Sequence, residues 1–192
     1  MPPKARITAD MIAEAGLAVV RCAGEAALNI RSVAKQLGCS TQPVMYHYST
    51  AGALRAAVYA KADAFHSAYL MQEEPGNPLL GIGLRYIRFA AREGCLFRFL
   101  FQSGGMKDTP LALLTASPDS APFVQAVADE TGLNAEQAEA VFTQLFMTVH
   151  GCASLLANNA MQYDEAYCGT LLTRCLNGAV AAMKGEAYEE AL

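Results

Sequence analysis

The sequence predicts an all-α protein, and three observations over its 192 residues carry that prediction. Apolar residues recur at helical spacing: Ile12, Ala15, Val19 and Cys22; Leu54, Val58, Phe65 and Tyr69; Val141, Leu145, Val149, Cys152 and Leu156. Such spacing places each group on one face of a helix. Sustained apolar/polar alternation is absent and β-branched residues are sparse beside Ala and Leu, which argues against strands. Capping residues and breakers then divide the chain at helix-length intervals.

Each element follows from those signals. Thr8 caps a first helix running to about Cys22, and Gly24 turns the chain. Asn29 caps a second helix that stops at Gly38, and Ser40 caps a third ending near Tyr48. Ala51 to Met71 reads as one long helix. Glu73-Glu74-Pro75-Gly76-Asn77-Pro78 breaks the chain and marks the expected domain border. Helices are expected at about 78–93 and 95–102, before a Gly/Pro-rich passage from Ser103 to Pro118 with one helical turn at Leu111–Leu114. A helix over Asp119–Thr131 ends at Gly132. Two long helices follow, over Asn134–Asn158 and Asp164–Lys184, and the tail 185–192 is expected to fray.

With 53% hydrophobic residues the chain is far from the composition of a disordered protein. Met1-Pro2-Pro3-Lys4 is not followed by an apolar run, so no secretory signal is read. The stretch Leu145–Ala157 is interrupted by His150 and shorter than a membrane span. A soluble, cytoplasmic protein without a membrane partner is expected. The six cysteines (Cys22, Cys39, Cys95, Cys152, Cys168 and Cys175) form no CxxC pair and no zinc-ligand spacing, so reduced thiols and no metal or cofactor are expected.

Net charge is −4, unevenly spread. Residues 1–65 carry seven basic side chains against four acidic, a net +3, and the remainder seven against fourteen, a net −7. A basic head on an acidic body suits contact with nucleic acid through one end.

That head contains Asn29-Ile-Arg-Ser-Val-Ala-Lys-Gln-Leu-Gly38-Cys-Ser-Thr-Gln-Pro-Val-Met-Tyr-His-Tyr48, a short helix, a tight turn and a second short helix. This is the helix-turn-helix plan. Val33, Ala34 and Leu37 form the inner face of its first helix, and Gly38 takes the left-handed conformation that ends it. Ser40 is expected to accept from the next helix's free amides. Pro43 falls in the first turn, where its missing N–H is not needed. Val44 points inward, leaving Thr41, Gln42, Met45 and Tyr46 outside. Gln42 pairs with adenine, and Thr41 meets a base through its hydroxyl or a thymine through its methyl. Tyr46, Thr50 and Arg31 reach phosphates, which position without reading sequence. The candidate DNA-binding set is Arg31, Ser40, Thr41, Gln42, Pro43, Met45, Tyr46 and Thr50. Capped helices around a glycine turn also occur in folds that never touch DNA; position after one helix and within the basic third favours the DNA reading.

Residues from about 6 to 70 resemble the N-terminal domain of the TetR/AcrR family of transcriptional regulators. The resemblance rests on Ile12–Ala15 with Gly24, on Ile30-Arg31-x-Val33-Ala34-x-x-Leu37-Gly38, on Tyr46-His47-Tyr48, and on Ala53-Leu54 opening the long helix. It implies a three-helix DNA-binding domain over 1–50, a connecting helix over 51–72, and a helical effector-binding and dimerisation domain over 73–192. It further implies a homodimer on a palindromic double-stranded DNA operator, with ligand binding releasing the DNA. His47 and Tyr48 match core-facing positions of the family. Met45 stands where the family often has Tyr, a frequent phosphate or base contact, and Ala51 where it often has Lys, a charge that commonly grips the backbone.

In the later chain, Tyr86-Ile87-x-Phe89-Ala90, Leu96-Phe97-Arg98-Phe99-Leu100-Phe101 and His150-Gly151 resemble the effector domain of part of the family. The candidate ligand-binding residues are Tyr86, Phe89, Phe97, Phe101, Met106, Phe142, Phe146, Met147 and His150, suited to an apolar small-molecule effector. The same residues at helical spacing would equally build an ordinary core. Gly169, Gly178, Ala179, Ala181 and Ala182 leave flat surfaces on the last helix, which with Ala135–Ala157 would make a four-helix dimer interface. No phosphate loop, HExxH, GxSxG or paired-carboxylate constellation appears, so no enzyme is expected. A redox- or metal-responsive regulator using Cys152, Cys168 and Cys175 is the alternative, and a ligand-independent architectural DNA protein a further one.

Overall fold

The computed structural model describes residues 7–73, 76–103 and 120–185. Its helices are α1 (Ala9–Ala23), α2 (Ile30–Gln36), α3 (Thr41–His47), α4 (Ala51–Leu70), α5 (Pro78–Arg92), α6 (Gly94–Phe101), α7 (Ala121–Thr131), α8 (Ala135–Asn159) and α9 (Glu165–Lys184), with a 3₁₀ turn at Glu25–Ala27. No strand occurs among the described residues, in line with the expected all-α class. The turn expected at Leu111–Leu114 and the tail beyond Gly185 lie outside the described residues.

Caps set most helix boundaries. The Thr8 hydroxyl accepts from Met11 N–H at 3.2 Å, and Asn29 accepts from Arg31 and Ser32 N–H at 3.0 Å each. Ser32 Oγ accepts in return from Asn29 N–H at 3.1 Å, completing a reciprocal box. Asn134 and Gln137 form the same arrangement at α8, and Asp164 accepts from Tyr167 N–H at α9. Ser40 departs from expectation: it stands at the N-cap of α3 with extended backbone, but its side chain makes no capping bond.

The chain divides into two compact units, residues 1–69 with 93–106, and residues 70–92 with 107–192. In the first, α1 buries Ile12, Ala13, Ala15, Gly16, Leu17, Val19 and Val20. Gly16 lets α4 approach so closely that a Cβ there would overlap Val58 Cγ2. Val33, Val44, Leu54 and Val58 are fully buried or nearly so, while Leu37 is only half-buried.

The sequence groups α6 with the helices after residue 73, whereas its contacts place it in the first unit, packed against α1. Leu96, Phe97, Phe99 and Leu100 are at most 1% exposed, so they are core of that unit. Polar bonds pin both ends. Glu93 pairs with Arg21, whose guanidinium also lies over the Phe65 ring at 4.9 Å. Ser103 Oγ accepts from Arg55 at 2.8 Å, and Arg55 also pairs with Glu25 at 2.6 Å and covers the Phe99 ring.

The second unit is built from α5, α7, α8 and α9. Val127, Leu133, Ala138, Val141, Leu145, Leu176 and Ala179 form its core, with Leu80, Phe142 and Met183 packed against it. Gly83 brings α5 against Leu172 and Val149, where an added Cβ would stand 3.0 and 3.3 Å away. By length and composition alone α8 could cross a membrane, contrary to the sequence expectation for that stretch. It packs on α5, α7 and α9. It buries one stripe, Ala138, Val141, Leu145, Val149, Ala153 and Ala157.

Candidate functional site

The DNA-facing candidates sit on α2, α3 and the start of α4. Gly38, at φ +65°, closes α2: its N–H bonds Lys35 O at 3.1 Å and Cys39 N–H bonds Ala34 O at 3.0 Å. These bonds satisfy carbonyls that α2 would otherwise leave open and send the chain directly into α3. Val44 is α3's one buried residue. Around it Gln42, Met45 and Tyr46 are exposed, Tyr46 to 79%, and Thr41 and Pro43 are half-buried. Arg31, Ser40 and Thr50 are exposed as well. Thr50 has an added role, its hydroxyl accepting from Ala53 N–H at 3.1 Å at the start of α4.

Two side chains hold α3 to the start of α1. His47 Nε2 donates to Ile7 O at 3.1 Å, and the Tyr48 hydroxyl donates to Ala9 O at 3.1 Å. Both are half-buried, so packing and anchoring are their work. The arrangement leaves one short, exposed helix whose outward residues are an amide, a thioether and a phenol. It carries hydrogen-bonding and apolar groups and no fixed charge, which suits groove contact more than backbone neutralisation.

The nine ligand-binding candidates fall apart into groups. Phe97 and Phe101 belong to the first unit; their rings lie 5.0 Å apart, and Phe101 meets the buried His66 edge-on at 5.2 Å. Met106 lies outside the described residues. Tyr86, Phe89, Phe142, Phe146, Met147 and His150 are all in the second unit. There Phe142, Phe146 and His150 succeed one another at one-turn intervals along α8. Phe146 lies 6.1 Å from Phe142 and stacks on the His150 imidazole at 5.7 Å. Tyr86, from α5, meets the end of this row: its hydroxyl is 2.9 Å from His150 Nδ1. Phe89 is fully buried and Met147 half-buried.

Phe123 of α7 extends the row, stacked on Phe142 with centroids 6.1 Å apart and planes within 6°. Sequence reasoning passed over it. The only signal was its place one turn into a helix, directly after Pro122.

Electrostatics at the Tyr86–His150 pair favour neutral forms. Burial pushes the Tyr86 phenol well above its ordinary range and pulls the His150 imidazole below 6.5. The neighbouring cations on α5 are engaged elsewhere. Arg85 Nε donates to Leu70 O at 2.7 Å, and Arg88 pairs with Glu165 at 2.8 Å.

The cysteines give the alternative little chemistry. Burial is the first cause raising both the Cys152 and the Cys168 thiols, which keeps them from the reactive thiolate. Cys175 Sγ lies 3.3 Å from Thr148 Oγ1. Among the described residues no three His, Cys, Asp or Glu side chains are grouped to hold a metal ion.

Residues 79–182 match the family model described as tetracyclin repressor-like, C-terminal domain, a span of more than half the chain. No curated protein matches.

Proposed function

The chain belongs to the tetracycline-repressor (TetR) family, and from that premise we propose that it is a ligand-responsive transcriptional repressor binding a palindromic operator as a homodimer. The observation that carries the DNA half is α3 itself. It buries Val44 alone, is tied to α1 by His47 and Tyr48, and turns Gln42, Met45 and Tyr46 outward. A recognition helix needs that combination of rigid seating and outward groups at base-edge reach. In this reading Gln42 and Thr41 read bases, Met45 makes apolar contact, and Pro43 shapes the first turn. Arg31, Ser40, Tyr46 and Thr50 position the backbone.

The homodimer reading rests on α8 and α9. Leu155 and Tyr167 are exposed to 54% and 67%, and a Cβ at Gly151 or Gly169 would meet nothing within 4 Å. Apolar and flat surface on two adjacent helices is what a second copy covers to form a four-helix interface. The effector half rests on the aromatic row ending at Tyr86 and His150. The protein is a regulator rather than an enzyme, acting in the cytoplasm where its operator is.

Selection of bound sequences from a random duplex pool tests the reading. A two-fold symmetric site should emerge, bound by two chains. Gln42→Ala should then weaken it by about 1–3 kcal/mol and relax base preference at one position. Arg31→Ala should weaken all duplexes alike and reduce the salt slope by about one. Absence of any preference over random DNA at physiological salt would sink the proposal.

A further inference from the structure

Resting on the regulator reading, we propose that Met45 is a specificity-determining residue that reads the C5-methyl group of a thymine in the operator's major groove. That thymine lies about one or two base pairs from the base met by Gln42. The place of Met45 on α3, its chemistry and the charges on α2 point to this partner.

Place comes first. At about 3.6 residues per turn, Gln42, Met45 and Tyr46 share the side of α3 turned away from the buried Val44. Met45 is 55% exposed. An exposed apolar residue alone carries no meaning; this one stands on the face that the helix-turn-helix presents. Its backbone is held on both sides, by the burial of Val44 before it and by the bond from His47 to Ile7 O after it. The flexible thioether chain therefore extends from a fixed point. Residues three apart on a helix hold their Cβ atoms about 5–6 Å apart. That is one to two base-pair steps of about 3.4 Å, which sets the distance from the base at Gln42.

Chemistry comes next. A thioether has no proton to donate and accepts hydrogen bonds weakly, so it offers phosphate oxygens nothing and polar base edges little. Among the groups that base pairs present in the major groove, the thymine methyl is the apolar one. Contact between the two removes apolar surface from water on both sides.

Charge favours DNA over a protein partner for this face. Arg31 and Lys35 are exposed one turn apart on α2, which packs against α3. Elsewhere in the first unit Arg21, Arg55 and Lys61 form ion pairs with Glu93, Glu25, Asp10 and Glu14. Exposed cations on α2, with an α3 that carries no fixed charge, complement a groove whose floor is neutral and whose walls are phosphate. An apolar protein surface covering α3 offers those cations no partner.

The test uses the full-length protein and the duplex recovered by selection, titrated by fluorescence anisotropy. Uracil replaces thymine at each position of one half-site in turn. Uracil lacks only the methyl group, so base pairing and the hydrogen-bonding edge are kept. At one thymine the change should weaken binding by about fourfold, the weight of one buried methyl group. Cytosine placed at that position should bind more tightly once methylated at C5, by a similar factor. Met45→Ala should bind the thymine and uracil duplexes alike, while Met45→Leu should keep the preference. Met45→Gln, of similar length, serves the same purpose should Met45→Ala fail to fold. A thymine preference that survives in these variants overturns the inference and assigns the methyl to Thr41. A recovered operator to which the wild type binds equally with uracil at every thymine overturns it alone. Recovery of no preferred duplex overturns it together with the regulator reading.

Discussion

Gly16 and His66 show how much a single position decides. A methyl at Gly16 would collide with the β-branched Val58, whose rotamer has little room to yield. Gly16→Ala should therefore cost about 1–3 kcal/mol in thermal or urea unfolding, despite the better helix propensity of alanine. Adding Val58→Ala should recover part of that loss; no recovery would show that the contact is not the cause. His66 is buried against Phe101, and burial pulls its imidazole from 6.5 down to about 4. The folded form therefore holds it neutral, while the unfolded chain takes up a proton below pH 6.5. Its contribution to stability is full above pH 6.5 and is lost progressively as pH falls toward 4. On the order of 2 kcal/mol should be lost between pH 7 and pH 5, read from urea midpoints. His66→Gln should flatten that decline, and an unchanged slope would assign it to other groups.

At the scale of the element, α2 and α3 are stabilised differently although both begin with a residue suited to capping. Asn29 satisfies two free amides of α2 and is itself bonded by Ser32, so Asn29→Ala should destabilise the protein by about 1 kcal/mol. Ser40 makes no such bond, so Ser40→Ala should leave unfolding within about 0.5 kcal/mol of wild type. Were Ser40 a backbone contact, the same change would lower operator affinity with no loss of stability. Unfolding and DNA titration on the two variants separate a residue that builds the motif from one that uses it. The short α3 needs no cap of its own because Val44, His47 and Tyr48 seat it against its neighbours.

For the whole molecule, the proposed association rests on α8 and α9. Single changes to Glu at Leu155 or Tyr167 replace apolar surface with charge, at positions more than half exposed in the single chain. If two copies meet there, either change should shift the protein to a monomer by sedimentation or light scattering. Operator affinity should then fall by more than about tenfold, because half-sites are no longer bound together. A dimer that persists in both variants would place the interface elsewhere. The lengths and buried stripes of both helices follow from their sequences, but an exposed apolar residue is common on any protein surface. Only the neighbouring open positions at Gly151 and Gly169 make a surface of it.

Local signals determined the helices and most of their ends. Thr8, Asn29, Gly38, Gly132, Asn134 and Asp164 act through bonds or dihedral angles within a few residues, so a linear reading captures them. The helix-turn-helix was legible for the same reason, down to the buried Val33, Ala34 and Val44. Partnership was not. Periodicity tells which face of a helix is apolar and is silent on what that face meets. The apolar run Leu96–Phe101 suits any helical unit; it is Glu93 on Arg21 and Ser103 on Arg55, across 72 and 48 residues, that join α6 to the first. Likewise the sequence could name Tyr86 and His150 as candidates, but their hydrogen bond spans 64 residues. Pairings at that separation depend on how helices cross, which is set by the packing of all their side chains together and by no short segment alone.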